Sequence, residues 1–160
     1  MPGPAEAAPR YLFARALAAF LICPGVFAFL LPALIAFTSP RATSPHWAGL
    51  ALLAAGAFLL LWCVRDFYLT GRGTLAPWSP PQRLVEVGLY RYSRNPMYVA
   101  VLTVLCGWAL TYRLAALWIY LLCVALAFHL RVVYAEEPWL ARTHGEPWTK
   151  YRQRVPRWLF

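Results

Sequence analysis

Four apolar runs, roughly 16–37, 47–64, 98–112 and 114–134, are separated by short polar joints and by one long polar segment after the second run. Each is about 15 to 22 residues long, close to the ~20 residues a helix needs to cross the hydrocarbon core. The pattern predicts an all-α integral membrane protein of one domain, residues 1–160, with about four transmembrane helices. The third run is short, so its helix must tilt little or thin the bilayer locally. Pro24 and Pro32 interrupt the first run. It exceeds the roughly 7–15 apolar residues of a cleavable signal peptide and reads as a retained, kinked span.

The joints say how the runs are arranged. Tyr112-Arg113 leaves almost no loop between the last two runs, so they form a tight antiparallel hairpin. That hairpin brings Asn95–Tyr98, at the start of the third run, beside His129–Glu137 at the end of the fourth. Asn95-Pro96 is a helix-start signal: Asn is a favoured N-cap, and Pro suits the first helical position. The tail beyond Glu136 is amphipathic. Pro138 predicts a break in the helix near Glu137, and Gly145 offers a stop for the short helix before it. Trp139, Trp148, Tyr151 and Trp158 read as interfacial anchors or as a lid over the polar segment.

Composition sharpens this picture. Hydrophobic residues make up 61% of the chain and charged residues 13%, against about 25% charged in soluble domains. Lipid must therefore be the solvent for much of the surface. Of the fifteen Lys and Arg residues, all but Arg41 and Arg113 fall on one side if the four runs span. The positive-inside rule then places both termini in the cytoplasm. The net charge of +9 is mainly this topology signal, with a contribution to contact with anionic membrane lipids. Basic residues flanking spans do not point to nucleic acid. Cys23, Cys63, Cys106 and Cys123 all lie in apolar runs without metal-type spacing and read as small buried side chains, so no metal site is expected.

The polar residues near Asn95 carry the chemistry. The first-turn N–H groups of a helix starting at Pro96 suit an anion such as a carboxylate or phosphate. Glu136-Glu137 lies opposite, and paired carboxylates there suit an ammonium group. Together they describe a trap for an amino-acid-like zwitterion. His129 reads as interfacial or substrate-facing, Arg65-Asp66 as a local pair at the membrane edge, and Gly71-Arg72-Gly73 as a turn.

Leu84-Val85, Gly88, Tyr90, Arg94-Asn95-Pro96-Met97-Tyr98, Glu136-Glu137, Tyr151 and Val155-Pro156-Arg157 occur in an order and spacing that resembles the isoprenylcysteine carboxyl methyltransferase family. The wider group of integral-membrane methyltransferases related to phospholipid methyltransferases is also similar. The resemblance spans roughly 71–157. It implies S-adenosylmethionine as cofactor, held by the loop 71–98 and the tail 135–160, and a lipophilic substrate entering from the bilayer. Carried over residue by residue, cofactor contacts fall on Gln82, Arg83, Leu84, Val85, Tyr90, Asn95, Pro96, Met97, Tyr98 and Glu136. Arg131 is the nearest match to the substrate-facing arginine, and Glu137 is the second acid of the pair. Relatives with His before the Pro differ from this chain, whose Asn95 cannot titrate.

Methyl transfer from a sulfonium is an in-line displacement, so such a site supplies proximity, alignment and desolvation. A carboxylate acceptor needs no general base, while an alcohol or amine would call on Glu136, Glu137 or Tyr98. The composition and short length suggest a bacterial inner-membrane protein. Two other readings compete: an NADPH-dependent membrane reductase of the sterol or acyl type, and a non-catalytic membrane subunit. The acidic pair suits an α-amino group better than a nicotinamide cofactor's phosphate. The acceptor and the oligomeric state are not legible.

Overall fold

The computed structural model describes residues 21–40, 44–71 and 84–159, and among these all regular structure is helical. A wide π-helical stretch, Leu21–Leu30, runs into α1 (Leu31–Thr38). Next come α2 (Trp47–Gly71), a short 3-10 turn at Gly88–Arg91, α3 (Pro96–Tyr112) and α4 (Ala115–Arg131). A π turn, Val132–Glu136, joins α4 to α5 (Glu137–His144), and α6 (Glu146–Arg154) follows.

Among the described residues, two helical stretches are long and apolar enough to cross a membrane. They are Trp47–Asp66 and the continuous run Ala115–His144, while Pro24–Thr38 and Pro96–Tyr112 are shorter apolar helices. Phe58 and Leu61 on α2, and Ile119, Leu122 and Leu126 on α4, stand exposed. A soluble protein would bury such side chains, and lipid accepts them at no cost.

The tightest pairing is α2 against α3, and glycine makes it possible. A Cβ on Gly49 would lie 2.4 Å from the Thr111 nitrogen, one on Gly56 2.7 Å from that of Val104, and one on Gly107 2.6 Å from that of Leu53. The backbones therefore touch along the whole pair. In lipid, association depends on such packing because the hydrophobic effect offers little between helices.

The first helix is fastened by the carbonyls its proline releases. Pro32 has no N–H to give to Ala28 or Phe27, four and five residues earlier. The indole of Trp108 donates to the Ala28 carbonyl at 3.1 Å, and the Tyr120 hydroxyl to that of Phe27 at 2.8 Å. Backbone acceptors one turn before the proline thus become the attachment of the first helical segment to the hairpin.

The hairpin between α3 and α4 turns on Arg113, whose φ of 53° is left-handed and whose N–H closes on the Ala109 carbonyl at 2.8 Å. Two sequence expectations change. α2 continues to Gly71 instead of ending near Val64, which puts Arg65 and Asp66 inside the helix. The break expected near Pro138 does not occur, because the wide turn at Val132–Glu136 accommodates the ring and carries the helix on through Glu137. Gly145, at φ 55°, ends α5 as expected.

Close backbone packing has a measurable consequence. Gly107→Leu forces α2 and α3 apart and is expected to cost about 1–3 kcal/mol. Thermal melting of the detergent-purified protein, followed by helical circular dichroism, should show a clear fall. An unchanged melting temperature would rule out this contact as the main helix pairing.

Candidate functional site at the polar end of the hairpin

The hairpin places the mouth of α3 and the end of α4 together, and the tail folds back over both. Tyr98, in the first turn of α3, lies with its ring 4.3 Å from that of Phe128 on α4. Its hydroxyl donates to the Glu136 carboxylate, and the Arg131 Nε donates to the same oxygen at 2.7 Å and to the Tyr98 hydroxyl at 3.2 Å. Tyr98, Arg131 and Glu136 are therefore one hydrogen-bonded group, and its charged members remain partly open to solvent.

Glu137 points elsewhere. Its carboxylate receives Arg94 Nη1 at 2.8 Å and a two-pronged contact from Arg157, Nε at 2.8 Å and Nη2 at 2.9 Å. The side chains of Arg94 and Glu137 are only 9% and 11% exposed. Charges buried this deeply survive only when paired, and forked geometry strengthens the pairing. Burial lowers the pKa of Arg94 from its ordinary value, whereas the more open Arg157 is raised by its hydrogen bond to Glu137. Arg94 also lies over the Trp148 ring, 5.5 Å from its centroid, adding a cation–π contact from α6.

Backbone bonds complete the clasp. The Arg94 N–H donates to the Pro156 carbonyl at 2.9 Å, and the Asn95 side-chain amide to that of Arg157 at 3.0 Å. The Tyr151 hydroxyl donates to the Tyr90 carbonyl at 2.7 Å, and burial pushes the pKa of that phenol up. Arg154 reaches Glu86 at 2.9 Å. Apolar packing follows the same seam: Tyr90 and Val85 bury against Cys63, and Trp148, Tyr151 and Val155 bury against Leu84 and Leu140.

Asn95 is the N-cap residue by position but does not cap. Its side chain is committed to Arg157, and Ser93 Oγ takes its backbone N–H at 3.1 Å. No side-chain cap closes the first turn of α3, so its leading amides receive no side-chain acceptor from Asn95. Arg94 Nε and Trp148 Nε1 are buried donors without a hydrogen-bond partner.

The structure thus brings together Leu84, Val85, Tyr90, Asn95, Pro96, Met97, Tyr98, Arg131, Glu136 and Glu137, while Gln82 and Arg83 lie outside the described residues. It does not present two open carboxylates to an amine, since each Glu already holds arginine. His129 stacks on Trp158 with ring centroids 6.2 Å apart. The sequence alone assigns Arg94 and Arg157 no place in the site. Their only signal was their place in the Arg-Asn-Pro and Val-Pro-Arg strings. Lower on the hairpin, an apolar groove of about 550 Å³ is lined by Leu52, Val99, Leu102, Cys106, Leu121 and Trp158, among others.

Apolar helices long enough to span, with lipid-type side chains exposed and polar groups gathered at one end, suit an integral-membrane protein. Residues 44–147 match the phospholipid methyltransferase family, and the chain belongs to it. No curated protein and no solved structure matches the chain. The family membership points to a methyltransferase, in preference to the reductase and the non-catalytic subunit.

The clasp can be cut at its centre. Glu137→Gln leaves Arg94 buried without its counter-ion and is expected to cost on the order of 3 kcal/mol. Trypsin should then cut at Arg152 and Arg154 much faster than in the wild type, while α4 stays intact. Equal cleavage rates would show that the tail is held by something else.

Proposed function

We propose that this protein transfers a methyl group from S-adenosylmethionine to a lipophilic acceptor at the cytoplasmic face of a bacterial inner membrane, both termini lying in the cytoplasm. The family membership carries the reading, and the gathering of loop, helix mouth and tail at one end of the hairpin supports it.

The donor set fits the carboxylate end of such a cofactor. The uncapped, positively polarised start of α3, with the unfilled Arg94 Nε nearby in sequence, suits a carboxylate group. Leu84, Val85, Tyr90 and Pro96 would contribute apolar and backbone contacts, with Asn95 holding the tail in place. When bound, the cofactor supplies a methyl group on a sulfonium.

Each chain residue then has a definite task. Tyr98 and Arg131 fix Glu136 in one orientation. The bonds of Arg131 run through Nε, so its terminal nitrogens suit an anionic group on the acceptor, such as an isoprenylcysteine-type carboxylate. An acceptor already ionised needs no proton removed. For a hydroxyl or amine, Glu136 is the base in reach of Tyr98. Glu137 acts as a positioning residue by holding Arg94 and Arg157. The apolar groove suits the acceptor's hydrocarbon part, and the tail excludes water from the polar end.

Calorimetric titration of the detergent-purified protein tests this reading. S-adenosylhomocysteine should bind with micromolar affinity and NADPH should not. Arg131→Ala should leave that affinity nearly unchanged while lowering, by about tenfold or more, the transfer of labelled methyl into a lipid extract, as expected for loss of a charge-assisted contact to the acceptor. Binding of NADPH in place of the homocysteine compound would overturn the proposal.

A further inference from the structure

The face of α3 that carries Tyr98 does not end at the polar group. Leu102 and Cys106 follow Tyr98 at four-residue spacing, so the three side chains stand one above another on one side of the helix. Leu102 and Cys106 line the apolar groove, while Tyr98 above them is bonded to Arg131 and Glu136. α4 repeats the pattern in the opposite direction. Phe128 lies against the Tyr98 ring, and Leu121, two turns away on the same side of α4, lines the groove. The groove therefore runs from the Tyr98, Arg131 and Glu136 group into the apolar body of the hairpin, about 12 Å along α3 from Tyr98 to Cys106.

Its other walls come from distant parts of the chain. Leu52 of α2 bounds it near Cys106, at the depth where Leu53 meets Gly107. Trp158 and Leu159 form a further wall, the apolar end of a tail that otherwise carries Arg152, Arg154 and Arg157. Trp158 is held there by its stack on His129 and by its neighbour Arg157 in the Glu137 cluster. The hydroxyl of Thr103, also in the lining, donates to the Val99 carbonyl at 2.8 Å and is satisfied within its own helix. At about 550 Å³ the groove falls within the roughly 300–1,000 Å³ of pockets that enclose one small ligand.

We propose that the acceptor is a single-chain amphiphile with an anionic head, and that Trp158 and Leu159 are the specificity-determining residues that wall its chain into the groove. What happens at the head group rests on the methyl-transfer reading above. One prenyl or acyl chain fills the space between α2, α4 and the tail, which leaves the second chain of a diacyl phospholipid outside. The head then meets Arg131, whose bonds to Glu136 and Tyr98 run through Nε. The tail serves both substrates: Arg157 fastens it over the cofactor end, and Trp158 contacts the acceptor's chain.

Photolabelling of the protein in phosphatidylcholine nanodiscs tests this, with lauric acid carrying a diazirine at the far end of its chain. Adducts, located by fragment-ion mass spectrometry, are expected on Cys106, Leu121 and Leu159. Unmodified lauric acid should compete them away, and dilauroyl phosphatidic acid should not. Cys106→Phe takes the space of a few methylenes and should weaken labelling about tenfold, with S-adenosylhomocysteine affinity and helical circular dichroism unchanged. Trp158→Ala removes the wall without entering the packing between helices and should weaken labelling likewise. Adducts mainly on the exposed Ile119, Leu122 and Leu126, equal competition by phosphatidic acid, or labelling unchanged in both variants overturns the proposal. Groove labelling in a protein that binds no S-adenosylhomocysteine would instead overturn the methyl-transfer reading and leave the single-chain site standing.

Discussion

Two guanidinium groups from distant parts of the chain meet on the Glu137 carboxylate, and the polar end is organised around that meeting. Arg94 arrives from the loop just before α3, and Arg157 from the tail beyond α6. Glu137 itself stands on the helix that continues α4. Three segments are thus fixed by one ion cluster that is largely hidden from water, where an unpaired member would be far costlier than the pair is beneficial. The backbone bonds from Arg94 and Asn95 to Pro156 and Arg157 add direction to it.

Beneath that end, the bundle works by turning irregularities into attachments. Proline in a membrane helix leaves carbonyls without donors, and lipid cannot supply any. At Pro32 the donors come from Trp108 and Tyr120. At Pro138 the helix widens first, and the turn it uses carries Glu136 and leads directly to Glu137. Adjacent carboxylates consequently serve different partners, one with Tyr98 and Arg131, the other inside the clasp.

Much of the fold was legible in the sequence because the apolar runs and their joints are strong signals. Tyr112-Arg113 dictated the hairpin, and the hairpin dictated that Tyr98 would face the end of α4. Asn95-Pro96 marked the helix start to the residue. The length of α2 was not legible, since Arg65 and Asp66 resemble a membrane boundary in composition while remaining helical. Nor was the fate of Pro138, because a π turn depends on what packs around it. The paired Glu was recognisable as chemistry, but its partners were not: Arg94 and Arg157 lie 43 and 20 residues from Glu137, and only the folded tail brings them there. Asp66 reads from sequence as half of a local pair with Arg65, which the structure keeps, but sequence cannot reveal that the Gly88 backbone covers it.

The central claim is that the loop before α3 and the tail after α5 form one cofactor site held by the Glu137 cluster. Hydrogen–deuterium exchange of the detergent-purified protein, with and without S-adenosylhomocysteine, tests it most directly. The account predicts that ligand slows exchange together in 84–98 and in 136–157, leaving the lipid-facing middle of α4 unchanged. Protection confined to one of these segments, or absent from both while ligand is bound, would contradict it.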